Sequence, residues 1–510
     1  CKMGEPDCDT IETFLEKELP VEGVIGFDGR TVGIGEGKGY EAAAARKSGT
    51  VSYQHDLVGR IWKDRPGLPG EKAFALEEKY AGESAASKLT RVREKMRERG
   101  ADIHLLTSLD DIAWLLNIRG NDVAYCPLVL GYIILYMDRG ELYADAKKFS
   151  EEMLAELTGN GIILRPYDEI SEAVSALPAS SCVLLDAERV SYELYRRLPE
   201  NVSVKESENP EILMKCIKND IEAANIRKAH LKDAAAHTRF MYWLKKNIGK
   251  KEITEISAAE KLESFRKEQE GYLEASFEPI SAFAEHGAIV HYSATGETNA
   301  SLEKGKLLLT DTGGHYLEGS TDITRTVALG EVSQKEKEAF TLVTRAMLRL
   351  MNTVFLYGCS GANLDCIARE VFWKKRLNFN HGTGHGVGYL LNVHEPPVNF
   401  RWKEGKTPAQ VLEKNMVITD EPGLYIEGAY GIRLENELLV CEDEKNGYGQ
   451  FMRFEPLTFV PIDLDALLPE EMTEEERKML NSYHKKVYET VSPHLNEEEK
   501  QWLREYTRPI

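Results

Sequence analysis

This sequence predicts two or three domains of mixed α/β architecture, and three observations carry that expectation. The chain has 510 residues, more than a single hydrophobic core usually serves. Between about residues 78 and 215, helical and strand patterns alternate, which is the pattern of an α/β unit. From residue 216 onward, two helical stretches followed by strands occur twice, as if one helix-pair-plus-sheet unit were repeated.

The elements follow in order. Residues 1–77 offer one strand candidate, Val21–Phe27, and one helix candidate, Gly39–Lys47. That is thin for a domain. Because the chain opens at Cys1 without a cap or leader, the expectation is the latter half of a domain whose front is missing. Asp64–Glu71 (DRPGLPGE) carries two prolines and two glycines and reads as a linker. In residues 78–215, Leu89, Val92 and Met96 recur at helical spacing until Gly100 stops the helix. Ile103–Thr107, Leu128–Met137 and Cys182–Asp186 read as strands. Residues 216–510 open with helices over Asp220–Lys246 and Thr254–Gln269, then strands and a hairpin-like segment over 306–328. Helices over 334–356 and 361–376 and strands over 415–421 and 431–441 repeat that order, and a charged helical tail fills 462–510.

Apolar residues make up 42% and charged residues 29%, as in an ordinary globular protein. The net charge of −20 repels phosphate backbones, so nucleic acid is not an expected partner. Eight cysteines without a CxxC pair read as reduced thiols in a cytoplasmic protein. The longest apolar run, Pro127–Met137, falls short of the roughly 20 residues of a membrane helix, so no membrane partner is expected.

The chemistry concentrates in three segments. In Lys306–Leu329 (KLLLTDTGGHYLEGSTDITRTVAL), two β-like runs flank a Gly313–Gly314 turn, with Asp311 ending the first and Asp322 beginning the second. Antiparallel neighbours bring such residues within about 5 Å, a spacing at which two carboxylates need a cation between them. Taken alone, a solvated hairpin with two surface acids is an equal alternative. His381–Gly388 (HGTGHGVG) sets two histidines among four glycines, with His385 as a metal donor and His381 within reach of substrate. His394 follows in HEPP and His291 precedes in VHYSAT, where proton transfer near neutral pH is the natural use of imidazole. In Met416–Val440 (MVITDEPGLYIEGAYGIRLENELLV), Glu421 ends a strand candidate, and alternation over Gly431–Val440 puts Arg433, Glu435 and Glu437 on one face. Glu435 can then bind metal while Arg433 holds a neighbouring carboxylate; Asp420 points the other way. The five donors Asp311, Asp322, His385, Glu421 and Glu435 include four carboxylates, whose crowding makes sense around two divalent cations. Oxygen and imidazole donors without thiolate favour Mn²⁺, with Zn²⁺ or Co²⁺ as alternatives.

These motifs, together with DDIAWLLNIRGNDVAYCP (Asp110–Pro127) and FEPLTFVPID (Phe454–Asp463), resemble the metallopeptidase family with the pita-bread fold, and within it the long, three-domain Xaa-Pro aminopeptidases. The resemblance implies a partial creatinase-like unit at 1–77, a second creatinase-like unit at 78–215, and a pita-bread catalytic domain with a C-terminal extension at 216–510. It implies the same five metal ligands, substrate and proton-handling roles for His291, His381 and His394, two Mn²⁺ ions and a homodimer. The implied reaction removes the N-terminal residue from peptides with proline second, through a hydroxide bridging the metals, with Glu421 taking the proton. A prolidase, a creatinase-like C–N hydrolase and a metal-free binding protein on the same fold are the alternatives.

Overall fold

The computed structural model describes residues 8–403 and 409–510. The chain divides into two compact units. One runs through Leu76 and continues in Glu83–Val123 and Leu128–Ile212; the other takes Glu77–Gly82, Ala124–Pro127 and Leu213–Ile510.

In the first unit, a six-stranded sheet has the order Ser203–Glu206, Cys182–Leu185, Ile103–Leu106, Tyr132–Tyr136, Gly140–Tyr143, Ile162–Arg165. Its centre is antiparallel and its flanks are parallel. Ile103, Leu105, Ile134, Val183 and Leu185 fill one core with Ile170 and Val174. The expected strand over Leu128–Met137 shortens to Tyr132–Tyr136. The helix expected over Gly39–Lys47 begins earlier and spans Ile34–Ala45. Val24–Gly26 pairs in parallel with Thr50–Ser52.

In the second unit, the pair of helices appears twice. Asp220–Asn247 and Glu255–Arg266 form the first pair, Gln334–Met351 and Gly361–Lys374 the second. Reciprocal capping by Asn219 with Glu222 and by Ser333 with Glu336 fixes where the long helices start. After the first pair, Ile280–Phe283, Leu307–Thr312 and Ile323–Ala328 build an antiparallel three-stranded sheet. After the second pair comes a six-stranded sheet, in the order Val354–Leu356, Gly449–Pro456, Asn436–Asn446, Val417–Asp420, Gly384–Gly386, Glu395–Phe400. Phe240, Leu244, Leu308, Phe340, Met347, Phe372 and Leu438 belong to a single core.

Two expectations are corrected. The stretch Gly431–Val440 is not one strand. Tyr430–Arg433 pairs with Gly423–Ile426, while Asn436–Asn446 pairs with Val417–Asp420, so Leu434 and Glu435 lie at the break. The single alternating face for Arg433, Glu435 and Glu437 is lost with it. Nor do Gly313 and Gly314 simply turn one strand into the next. Gly314–Tyr316 and Gly319–Ser320 pair with each other, and the former also pairs with Tyr272–Ala275, in a separate small sheet. Asp311 stands opposite Thr324, and Asp322 precedes its strand by one residue.

A buried polar network pins that excursion. Asp233 on the long helix accepts Arg266 Nε at 2.6 Å, Arg266 Nη2 at 3.1 Å, Thr321 Oγ1 at 2.6 Å and Tyr316 OH at 3.2 Å. Arg266 also donates to the Thr312 carbonyl at 3.2 Å. The Asp233–Arg266 pair thus ties down both ends of the segment between the two aspartates. Breaking a buried pair leaves an uncompensated charge, so Asp233→Ala is expected to destabilise this unit by about 3–5 kcal/mol in chemical denaturation. A loss below about 1 kcal/mol, the range of an exposed ion pair, would rule out this network as the anchor.

Candidate metal centre

Asp311, Asp322, His385, Glu421 and Glu435 line one cavity of about 220 Å³ in the second unit, together with His291, His381, His394 and Arg433. Three of them converge most tightly: one donor atom each from Asp322, His385 and Glu435 lies within 4.8 Å of the others. His385 Nε2 is 3.4 Å from Asp322 Oδ2 and 3.6 Å from Glu421 Oε1. Asp311 reaches the same cavity but its Oδ2 accepts from Arg433 Nη2 at 2.6 Å, and its buried Oδ1 has no hydrogen-bond partner.

Local structure explains how each donor arrives. Gly384 lets the His385 strand close on its neighbour, because a Cβ there would sit 1.8 Å from the Thr419 carbonyl oxygen. The His385 N–H donates to Thr419 Oγ1 at 3.0 Å, and Thr419 Oγ1 donates to Glu421 Oε1 at 3.2 Å. Glu421 N–H donates to the Thr383 carbonyl at 2.8 Å. Thr324 Oγ1 donates to Glu435 Oε2 at 2.8 Å. Asp322 N–H donates to Glu437 Oε1 at 2.6 Å, and the other Glu437 oxygen lies 3.1 Å from buried His230 Nε2. Asp365 and Arg369 on the Gly361–Lys374 helix hold the glycine-rich loop: Thr383 donates to Asp365, and Arg369 donates to the His381 carbonyl at 2.7 Å.

The donors suit divalent ions. His385 Nδ1 is 2.9 Å from the Gly386 carbonyl, so the proton is assigned there and the Nε2 lone pair faces the carboxylates. Burial, then Asp311 and Glu421, push the Asp322 carboxyl well above its ordinary range. Burial and Asp322 do the same to Glu435. Glu421 also rises through burial, although His385 and Arg433 pull against it. Burial opposes the Arg433 charge, but Tyr425, Asp311 and Glu421 outweigh it and keep the guanidinium protonated. The four carboxylates outnumber the guanidiniums that line the cavity, buried Arg433 and exposed Arg401, a deficit that divalent cations fill.

The histidines differ in availability. His381 Nδ1 lies 2.7 Å from the Gly382 carbonyl, and Nε2 lies 2.8 Å from Tyr425 OH, which in turn accepts Arg433 Nη1 at 2.8 Å. Burial and then the nearby cations bring His381 down to about 4, so its ring is neutral and both nitrogens are committed. His394 also falls to about 4, through desolvation and then His385, whose ring centroid is 4.3 Å away; it remains open to solvent. His291 is exposed at the cavity mouth. Asp420 is fully buried, outside this cavity. Tyr425 and His230 carry no signal in the sequence, and Glu437, which alternation set beside Glu435, acts instead as the acceptor of the Asp322 N–H. Tyr425 lay within a quoted motif, but nothing in its spacing marked it as the bridge between His381 and Arg433.

Comparison with known proteins gives a consistent picture. The model for metallopeptidase family M24 matches residues 224–442, that for the creatinase/prolidase N-terminal domain matches 64–222, and that for the C-terminal region of peptidase M24 matches 450–510. Aminopeptidase P1 of Lotus japonicus is 35% identical, over 100% of this chain and 87% of its own length. The crystal structure of X-prolyl aminopeptidase from Caenorhabditis elegans, a cytosolic enzyme with a di-nuclear active site, has a TM-score of 0.93 at 34% identity, covering 100% of this chain and 84% of that one. Xaa-Pro dipeptidase from Bacillus anthracis has a TM-score of 0.60 at 26% identity and covers 76% of this chain.

The raised carboxyls make a pH-dependent prediction. Without cations, the folded state holds protons more tightly than the unfolded chain, so stability falls as pH rises through the raised values. Cations remove that penalty and bind only the deprotonated donors. The drop in Tm on adding chelator is therefore expected to be larger at about pH 8 than at about pH 5. An equal drop at both would refute a carboxylate-rich site.

Proposed function

Because the chain belongs to metallopeptidase family M24, we propose that it removes the N-terminal residue from peptides with proline in the second position, and that Asp311, Asp322, His385, Glu421 and Glu435 hold its two divalent metal ions. The observation that carries this assignment is the convergence of three buried carboxylates, the partly buried carboxylate of Glu421 and one imidazole lone pair on a single cavity. Bound there, two such ions supply Lewis acidity and make water acidic enough to attack near neutral pH. Manganese is the ion we infer, from the oxygen-rich donor set.

The remaining work belongs to the chain. Glu421 takes the proton of the attacking water and returns it to the leaving proline nitrogen. That nitrogen is a tertiary amide with no N–H of its own, so it departs only when protonated. His394 has the uncommitted ring and donates a hydrogen bond to the oxygen that gains charge during attack. His381, committed at both nitrogens, serves instead through Tyr425 to fix Arg433 and with it Asp311. Phe277, Ile280 and Val290 form an apolar wall in the cavity, against which the proline ring can pack beside His291. A homodimer and a cytoplasmic location complete the proposal, the latter in keeping with the cytosolic relative. Among the described residues no helix is long and apolar enough to cross a membrane.

An Arg-Pro-Pro tripeptide is expected to be cleaved after arginine, with activity lost to chelator and restored by Mn²⁺. Failure to restore it would overturn the peptidase assignment. Efficient cleavage of Arg-Pro without cleavage of Arg-Pro-Pro would make the enzyme a dipeptidase. Asp322→Ala is expected to abolish turnover while circular dichroism stays unchanged; unchanged turnover would refute its ligand role.

A further inference from the structure

The loop that carries His291 is held by one carboxylate that no part of the mechanism uses. Glu255, the first residue of the Glu255–Arg266 helix, is completely buried. Its Oε1 accepts Phe283 N–H at 2.7 Å and lies 2.8 Å from His286 Nδ1. Its Oε2 accepts Tyr292 OH at 3.0 Å and Ala300 N–H at 2.9 Å. These four donors span the whole loop, from the end of the Ile280–Phe283 strand, past His291, to the return at Ala300. The His286 and Tyr292 rings stack with centroids 4.5 Å apart, so two of the donors also brace each other around the carboxylate.

The loop is also gripped from the site side. Gly287 packs so closely on Gly431 that a Cβ on Gly431 would fall 1.6 Å from the Gly287 carbonyl oxygen. Arg433, which holds Asp311, donates to the Val290 carbonyl at 3.3 Å. Val290 and His291 therefore lie between a buried anion behind them and the strand that carries Arg433 in front. A charged acceptor with all four of its donors on one segment fixes that segment far more firmly than neutral bonds would.

We propose that Glu255 is the positioning residue for His291 and for the wall of the substrate cavity beside it. It touches neither substrate nor metal donors; it acts by presetting where the peptide lies. This rests on the aminopeptidase reading, and a wild-type enzyme that is active and chelator-sensitive establishes that reading separately. Glu255→Gln keeps size and shape but places an N–H₂ against two donors, so the loop must shift. Displacement of a positioning group costs on the order of tenfold to a hundredfold. The expected result is a fall of that order in kcat/KM on Arg-Pro-Pro, and one of about threefold or less when the same change is made in a His291→Ala background, because coupled residues do not add. Amide exchange is expected to rise over residues 284–300 and to stay protected over 307–312. Equal losses in both backgrounds, or exchange rising across the whole unit, would show a general stability role and overturn the proposal; so would no loss at all. Should Glu255→Gln not fold, Tyr292→Phe, which removes one donor, enters the same cycle with the same criteria.

Discussion

Like charges brought together out of water are the constraint that organises the catalytic unit. Carboxylates at such separations repel strongly in a dry pocket, and each also loses its hydration. Gathering Asp311, Asp322, Glu421 and Glu435 calls for a compensating charge, and Arg433 pairs directly with Asp311 and acts on Glu421 only through its field. What the chain supplies is a frame of hydrogen bonds and ion pairs behind the four. The two sheets, the Asp233–Arg266 network and the Asp365–Arg369 brace are that frame.

Much of this was legible in the sequence because function here depends on short, dense motifs. Asp311, Asp322, His385 and Glu421 could be singled out since each sits at the end of an apolar run or in a glycine-rich stretch, and Glu435 since alternation set it beside Arg433. The repeated helix pairs were equally visible, because capping residues and long apolar periodicity signal helices strongly. The break at Leu434–Glu435 was not visible. Alternation in Gly431–Val440 is real, but pairing register is set by tertiary partners, and Gly423–Ile426 takes the first part while Val417–Asp420 takes the second. The Gly314–Ser320 excursion was hidden for the same reason, since its partner Tyr272–Ala275 lies far back in the chain.

Supporting residues were harder to see than the donors. Tyr425, His230 and Glu255 act through contacts between segments distant in sequence, and none has a local pattern that separates it from an ordinary buried polar residue. His286 and His315 show the converse. Six of the twelve histidines lie between residues 286 and 394, yet His286 serves Glu255 and His315 bonds Ser320 and the Tyr125 carbonyl, so two of the six are structural. Histidine count marks the neighbourhood of a site, and only the partners of each ring assign its work.

The choice of supporting donors follows from the same charge constraint. Thr324 holds Glu435, Thr419 holds Glu421, and Thr326 fixes the backbone of Arg433. A hydroxyl orients a carboxylate without neutralising it. Lysine or arginine in those places would satisfy the same oxygens, but would remove the negative charge that draws divalent ions and would lower the affinity of the site. The run Thr324–Arg325–Thr326 makes the division explicit. The two threonines bond the Glu435 carboxylate and the Arg433 backbone, while Arg325 bonds the backbone carbonyls of Glu435, Val460 and Pro461 and the hydroxyl of Tyr483. The cation is spent on the scaffold, where it stabilises backbone carbonyls, and the neutral donors are kept for the centre. Three consecutive residues thus separate structural charge from functional charge, and a strand, whose side chains alternate, is the element on which that separation costs nothing extra.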